Sequence, residues 1–86
     1  MNLKPNQIAV SEQTQYASCG TLRLYKGEII KIIDWDPDQW NEIAVYRSLK
    51  REKLNKMTYV SIDTLRPASL DEIDAYYNGI RNINQL

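Results

Sequence analysis

The stretch Leu22-Arg23-Leu24-Tyr25-Lys26-Gly27-Glu28-Ile29-Ile30-Lys31-Ile32-Ile33 reads as strand, tight turn, strand. Leu22 and Leu24 alternate with polar neighbours, the pattern of a strand with one face on a core. Lys26-Gly27 supplies the turn, because glycine reaches backbone angles that a Cβ disfavours. The isoleucines that follow are β-branched and stiff at χ1, which suits a pleated surface. A chain with this centre is expected to be mainly β, a small barrel or sandwich.

Around that centre the sequence places four more elements. Ile8-Ala9-Val10 reads as a short first strand, and residues 11–20 as a long polar loop. The central stretch then gives strands over 21–25 and 28–35. Asp36-Pro37-Asp38-Gln39 is a turn, since proline lacks the amide donor and presets its φ. Trp40 to Arg47 is the next strand, with Ile43 and Val45 on one face. Ser48 to Lys56 fits a charged loop or a short helix equally well. Met57 to Ile62 is the fifth strand, with Val60 and Ile62 on one face and Tyr59 on the other. Ser69-Leu70-Asp71-Glu72 has the spacing of a capping box. Asp71, Glu72 and Asp74 sit where a helix dipole favours negative charge. Leu70, Ile73, Tyr77 and Ile80 form one helical stripe, and Asn78-Gly79 offers a stop. The expected core is Leu22, Leu24, Ile30, Ile32, Ile43, Val45, Val60 and Ile62.

With 86 residues the chain is expected to be a single domain, 1–86, with a thin core. Its longest apolar run falls far short of the ~20 residues of a membrane span. The segment Met1-Asn2-Leu3-Lys4-Pro5 lacks the apolar centre of a signal peptide. The lone Cys19 has no partner for an internal disulfide. These features point to a cytoplasmic setting without membrane contact. Net charge is zero, yet the charge is blocked. Glu28, Asp34, Asp36, Asp38 and Glu42 stand against Lys31 alone over 28–46. Arg47, Lys50, Arg51, Lys53 and Lys56 stand against Glu52 alone over 47–56.

Residues 22–40 resemble the SH3 family. Leu22-Arg23-Leu24-Tyr25-Lys26-Gly27-Glu28 is similar to the family's Leu-x-Phe-x-Lys-Gly-Asp/Glu segment, with Leu24 in place of phenylalanine. Ile29 to Ile33 corresponds to its Ile/Val-rich strand, and Asp36, Asp38 and Trp40 to the acidic residues before its tryptophan. Tyr59-Val60 resembles a Tyr-Val pair near the end of the domain. Bacterial SH3-like and KOW-type barrels share such strand patterns. The resemblance implies an SH3-like five-stranded barrel over 8–66 with a short C-terminal α-helix over 69–80. It departs from the family at Ala9-Val10-Ser11-Glu12-Gln13, where the peptide-binding Ala-Leu-Tyr-Asp-Tyr segment would stand, and at Asn41. Proline-rich peptide binding therefore does not carry over, and fold alone does not supply function.

No enzyme is expected. The chain has no histidine, the commonest general base and metal ligand. Cys19 has no base to activate it, and its neighbourhood contains nothing expected to lower its pKa. Asp34-Trp35-Asp36-Pro37-Asp38 opens like a calcium loop, but Gln39 and Val45 stand where an EF-hand needs glycine and glutamate. The three glycines are isolated, so no phosphate-cradling loop exists. No metal and no cofactor are expected. The candidate partner-binding residues are Trp35, Asp36, Asp38 and Trp40, with Tyr25 and Tyr46 on nearby strands, because aromatic residues dominate binding hot spots. Their acidic neighbours select a protein partner with a basic surface. The expected function is a small non-enzymatic protein-binding module. Size and composition also fit a phage or mobile-element protein that inhibits or modulates a host protein such as a defence nuclease. The alternative is a KOW-like nucleic-acid or ribonucleoprotein accessory gripping phosphates through Arg47, Lys50, Arg51, Lys53 and Lys56. Zero net charge favours the first.

Overall fold

The computed structural model describes residues 3–33, 42–54 and 57–80, with Lys50 and Arg51 in backbone only. Seven strands and two helices follow in chain order: β1 Ile8–Ser11, β2 Gln15–Tyr16, β3 Leu22–Leu24, β4 Ile29–Ile32, β5 Glu42–Tyr46, α1 Leu49–Lys53, β6 Thr58–Ser61, β7 Leu65–Pro67 and α2 Leu70–Tyr77. Five strands form one antiparallel sheet in the order β6-β5-β4-β1-β7, and β2 pairs with β3 in a separate ribbon. The architecture is mainly β with a small C-terminal helix. No ladder joins the two sheets among the described residues.

β1 lies inside the sheet, paired with β4 through Ala9↔Ile30 and with β7 through Val10↔Arg66. All four of its residues are buried. One face carries Ala9, with Ile30, Ile32, Ile43, Val45, Val60, Leu24 and Leu65 in the main core. The other carries Ile8 and Val10, which meet Ile29 and the α2 residues Ala75 and Tyr76. Successive strand residues alternate faces, so two covers bury a strand completely.

The turn into β4 forms as expected: Glu28 N donates to Tyr25 O at 3.1 Å, and Gly27 sits at φ 84°. Its two flanking strands nevertheless belong to different sheets. β3 pairs with β2, while β4 pairs with β1 and β5. The turn thus passes the chain from ribbon to sheet, and Gly27 N bonds Ser11 O at 2.7 Å as it does so.

Several expectations need correction. The polar loop 11–20 contains β2 and a tight hairpin, where Gly20 N donates to Ala17 O and Ala17 N to Thr21 O. Its polarity reflects side chains that bond to one another. The Gln15 amide reaches Ser11 Oγ at 3.0 Å and Thr64 Oγ1 at 2.6 Å. Residues 49–53 are helical, resolving the ambiguous charged segment. β6 stops at Ser61, and Ile62 opens a 3-10 turn that leads into the unforeseen β7. Leu22 and Ile62 are accordingly only half-buried, while the other six expected core residues are buried. Ile29 and Tyr76, absent from the expected core, are buried too, because α2 packs on the sheet face that carries Ile8 and Val10.

The helix start matches its sequence signature in both directions. Ser69 Oγ accepts from Glu72 N at 3.3 Å, and Glu72 Oε1 accepts from Ser69 N at 2.9 Å. At the other end Gly79, at φ 79°, donates to Tyr76 O while Ile80 N donates to Ala75 O. This is a Schellman stop, and it folds Ile80 onto the second cluster. The stripe itself is rotated from the one expected. Ala75 and Tyr76 are buried and Ile73 and Ile80 partly so, whereas Leu70 and Tyr77 point away. The spacing of Ile73, Tyr76 and Ile80 fits a helix as well as the expected set does. Only the surface beneath α2 chooses between them.

Replacing Ile32 or Val60 by alanine should cost about 2 to 4 kcal/mol, because each leaves a cavity in the main core. Denaturant titration measures this, and parent-like midpoints in both variants would contradict the strand phase.

Candidate functional site

Register decides which side chains share a surface. Lys31 pairs with Ile8, which faces α2, and with Tyr46. Ile33 N bonds Ala44 O at 3.0 Å, and Ala44 pairs with Tyr59. Cross-strand partners point the same way. Lys31, Ile33, Ala44, Tyr46 and Tyr59 therefore stand on the α2 side of the sheet. α2 packs on Ile8, Val10 and Ile29 there. Ile33, Ala44 and Tyr46 remain half-buried, and Tyr59 is 51% exposed.

A groove of about 410 Å³ lies between the helices, lined by Leu49, Lys53, Tyr77, Asn78 and Gly79. Glu52 of α1 ties the elements together. One carboxylate oxygen accepts from Lys31 Nζ at 2.7 Å, and the other from the Tyr76 hydroxyl at 3.1 Å. Strand β4 and both helices are thereby tied at one carboxylate. The bond to Glu52 raises the Lys31 pKa. Burial pushes the Tyr76 phenol well up, and the Glu52 charge adds to the effect. Tyr77 stands edge-on to Tyr76, with ring centroids 5.3 Å apart.

The residues singled out from sequence are distributed across this frame. Trp35, Asp36, Asp38 and Trp40 lie outside the described residues, in the segment that joins Ile33 to Glu42. Tyr46 is on the strip. Tyr25 is exposed and sits in the turn into β4, off the strip's strands. Arg47 turns inward: its Nε and Nη2 donate to the two Glu28 carboxylate oxygens at 2.6 and 2.8 Å. Only 2% of the Glu28 side chain is accessible. The bonds to Glu28 raise the Arg47 pKa further, so the guanidinium stays charged. Lys53 is exposed at the groove, and Lys56 lies outside the described residues. Lys50 and Arg51 lie on α1.

Cys19 is exposed at the tip of the β2–β3 hairpin, with Sγ 3.2 Å from Thr21 Oγ1. Contrary to expectation, that contact draws the thiol pKa below its ordinary value. Among the described residues no base is hydrogen-bonded to it. Among the described residues no cluster of three or more His, Cys, Asp or Glu side chains is placed to hold a metal ion. No helix there is long and apolar enough to cross a membrane. Comparison with protein-family models, curated proteins and solved structures finds no match.

Sequence reasoning missed the groove and the Lys31–Glu52–Tyr76 junction. Tyr59 carried a signal, since it opposes Val60 in the strand alternation. Glu52 carried none, because its two partners are 21 and 24 residues away.

Arg47→Met leaves the Glu28 carboxylate buried and unpaired. It should cost about 3 kcal/mol or more, and adding Glu28→Leu should recover most of the loss. A double-mutant cycle in denaturant tests this, and additive losses would refute the coupling. A second ion pair makes a pH prediction. Arg66 grips Glu72 through two bonds of 2.8 and 2.9 Å, and with the Ser69 amide it holds the Glu72 pKa down to about 2. The pair therefore stabilises the fold above the ordinary Glu72 value of 4.5, and that contribution is lost as pH falls from 4.5 through about 2. Carboxyl NMR should show the Glu72 midpoint near the lower value in the parent and moved toward the upper one in Arg66→Ala.

Proposed function

We propose that this chain is a small non-enzymatic protein-binding module built on an SH3-like five-stranded barrel. Support for the barrel comes from strand order and from how the ribbon is attached. The last strand returns beside the first, and Leu24 of β3 enters the main core. Arg23 Nη1 donates to Tyr59 O on edge strand β6 at 2.8 Å, and its guanidinium lies 3.6 Å from Glu42 on β5. The ribbon thus lies against β6, the edge strand at the other end of the sheet from β7.

The observation that carries the binding reading is the strip Ile33, Ala44, Tyr46 and Tyr59. It is a row of apolar and aromatic side chains on a sheet face that the helix leaves half covered. Aromatic anchors on a rigid sheet supply contact area with little entropy to lose. In the chain Ile33 is followed by the acidic–aromatic residues 34–40, and Glu42 shares the strip's face of β5. That acidic composition favours a partner with a basic surface, chiefly by steering its approach. The phosphate-gripping alternative loses Arg47 to its inward pair, which leaves fewer cations for a backbone contact.

Selection from a random peptide library displayed on phage tests the reading. Enriched peptides should carry Lys or Arg beside an apolar residue. Tyr59→Ala should weaken them by about 2 kcal/mol, while Lys53→Glu changes little. Melting curves on each variant exclude unfolding as the cause. Tight binding of a generic duplex, falling steeply with salt and abolished by Lys53→Glu, would overturn the proposal.

A further inference from the structure

α2 presents a second surface that the strip does not include. Its outward side carries Leu70, Asp71, Asp74 and Tyr77, all exposed. Leu70 is 84% exposed and Tyr77 48%, and with Asp74 they stand at i, i+4 and i+7, one row along the helix. Neither Asp71 nor Asp74 is in an ion pair among the described residues, where the Arg66 guanidinium is taken by Glu72. The helix is fastened at both ends and along its inner side. A capping box closes its start, a Schellman stop its end, and Tyr76 anchors its inner side.

We propose that this outward face of α2 docks a basic, amphipathic polypeptide segment, one that sets apolar side chains on Leu70 and Tyr77 and Lys or Arg beside Asp71 and Asp74. Charge chooses among the possible occupants. Nucleic acid and anionic lipid both carry negative charge and are repelled by the two carboxylates. A second copy placed symmetrically would set the same aspartates against each other, since an isologous contact matches a patch with itself. A cationic segment gains Coulomb attraction at the centre of the row and apolar contact on either side. The face stands independently of the sheet strip, and the variants below leave that strip intact.

The test is a ¹⁵N–¹H NMR titration of the full chain with a synthetic peptide of about 15 residues, near the shortest length at which an isolated helix holds. It carries Lys and Leu at i, i+4 spacing, and a control peptide replaces every Lys with Glu. Shifts should centre on the amides of Leu70, Asp74 and Tyr77, and the control should leave them still. Leu70→Ser should weaken binding about tenfold, a change of about 1.4 kcal/mol at one contact. Asp74→Lys should weaken it at low salt and lose most of its effect at high salt. Both positions are exposed, and melting curves on each variant exclude unfolding as the cause. Shifts confined to the strip, equal binding of the control, or full-strength binding by both variants would overturn the proposal. Concentration-dependent shifts of the same amides without peptide would assign the face to a second copy and overturn it equally.

Discussion

Four residues, Ile8 to Ser11, have no solvent on either side, and this constraint organises the rest of the molecule. A strand buried on both faces must bond to a neighbour on each edge and be covered above and below. β4 and β7 supply the edges. The main core covers one face and α2 the other. β7 lies just before α2 in the chain, so pairing β7 with β1 delivers the helix to the face it must cover. The helix thus completes a layer that the sheet requires.

Charge is handled in two ways that differ in consequence. The Glu28–Arg47 pair is withdrawn from water and bidentate, so its partners depend on each other and are unavailable to a ligand. Glu52 instead spreads one carboxylate over β4 and α2, from a helix only five residues long. A helix that short does not hold by itself in water. Its place beside Tyr77, and with it the groove, rests on tertiary contacts of this kind. The surface that these internal pairs leave exposed includes Tyr59 and the outward row of α2.

Much of the fold was legible in the chain. The capping box at Ser69 and Glu72 and the stop at Gly79 are local chemistry, satisfied within a few residues, and both form as read. The turn at Gly27 and the inward phase of Ile30, Ile32, Ile43, Val45 and Val60 follow from alternation over short windows. Alternation fixes which residues lie together on a face. It does not say whether the opposite face is also covered.

Tertiary structure decided everything that depended on distant partners. Ile29 and Tyr76 are buried because helix and sheet meet, and each has an equally acceptable exposed reading within its own segment. Leu70 and Ile73 both fit an apolar stripe, and only the position of Ile8 and Val10 beneath α2 selects Ile73. Arg47 looked like one cation in a basic run until the turn into β4 placed Glu28 against it, 19 residues earlier in the chain. β7 is three residues long and ends in proline, so it carries no periodicity and exists only because β1 offers it an edge. Sequence by itself determined the bonds that close within a turn; contacts across tens of residues have no local signature, and those decided which faces are covered and which stay exposed.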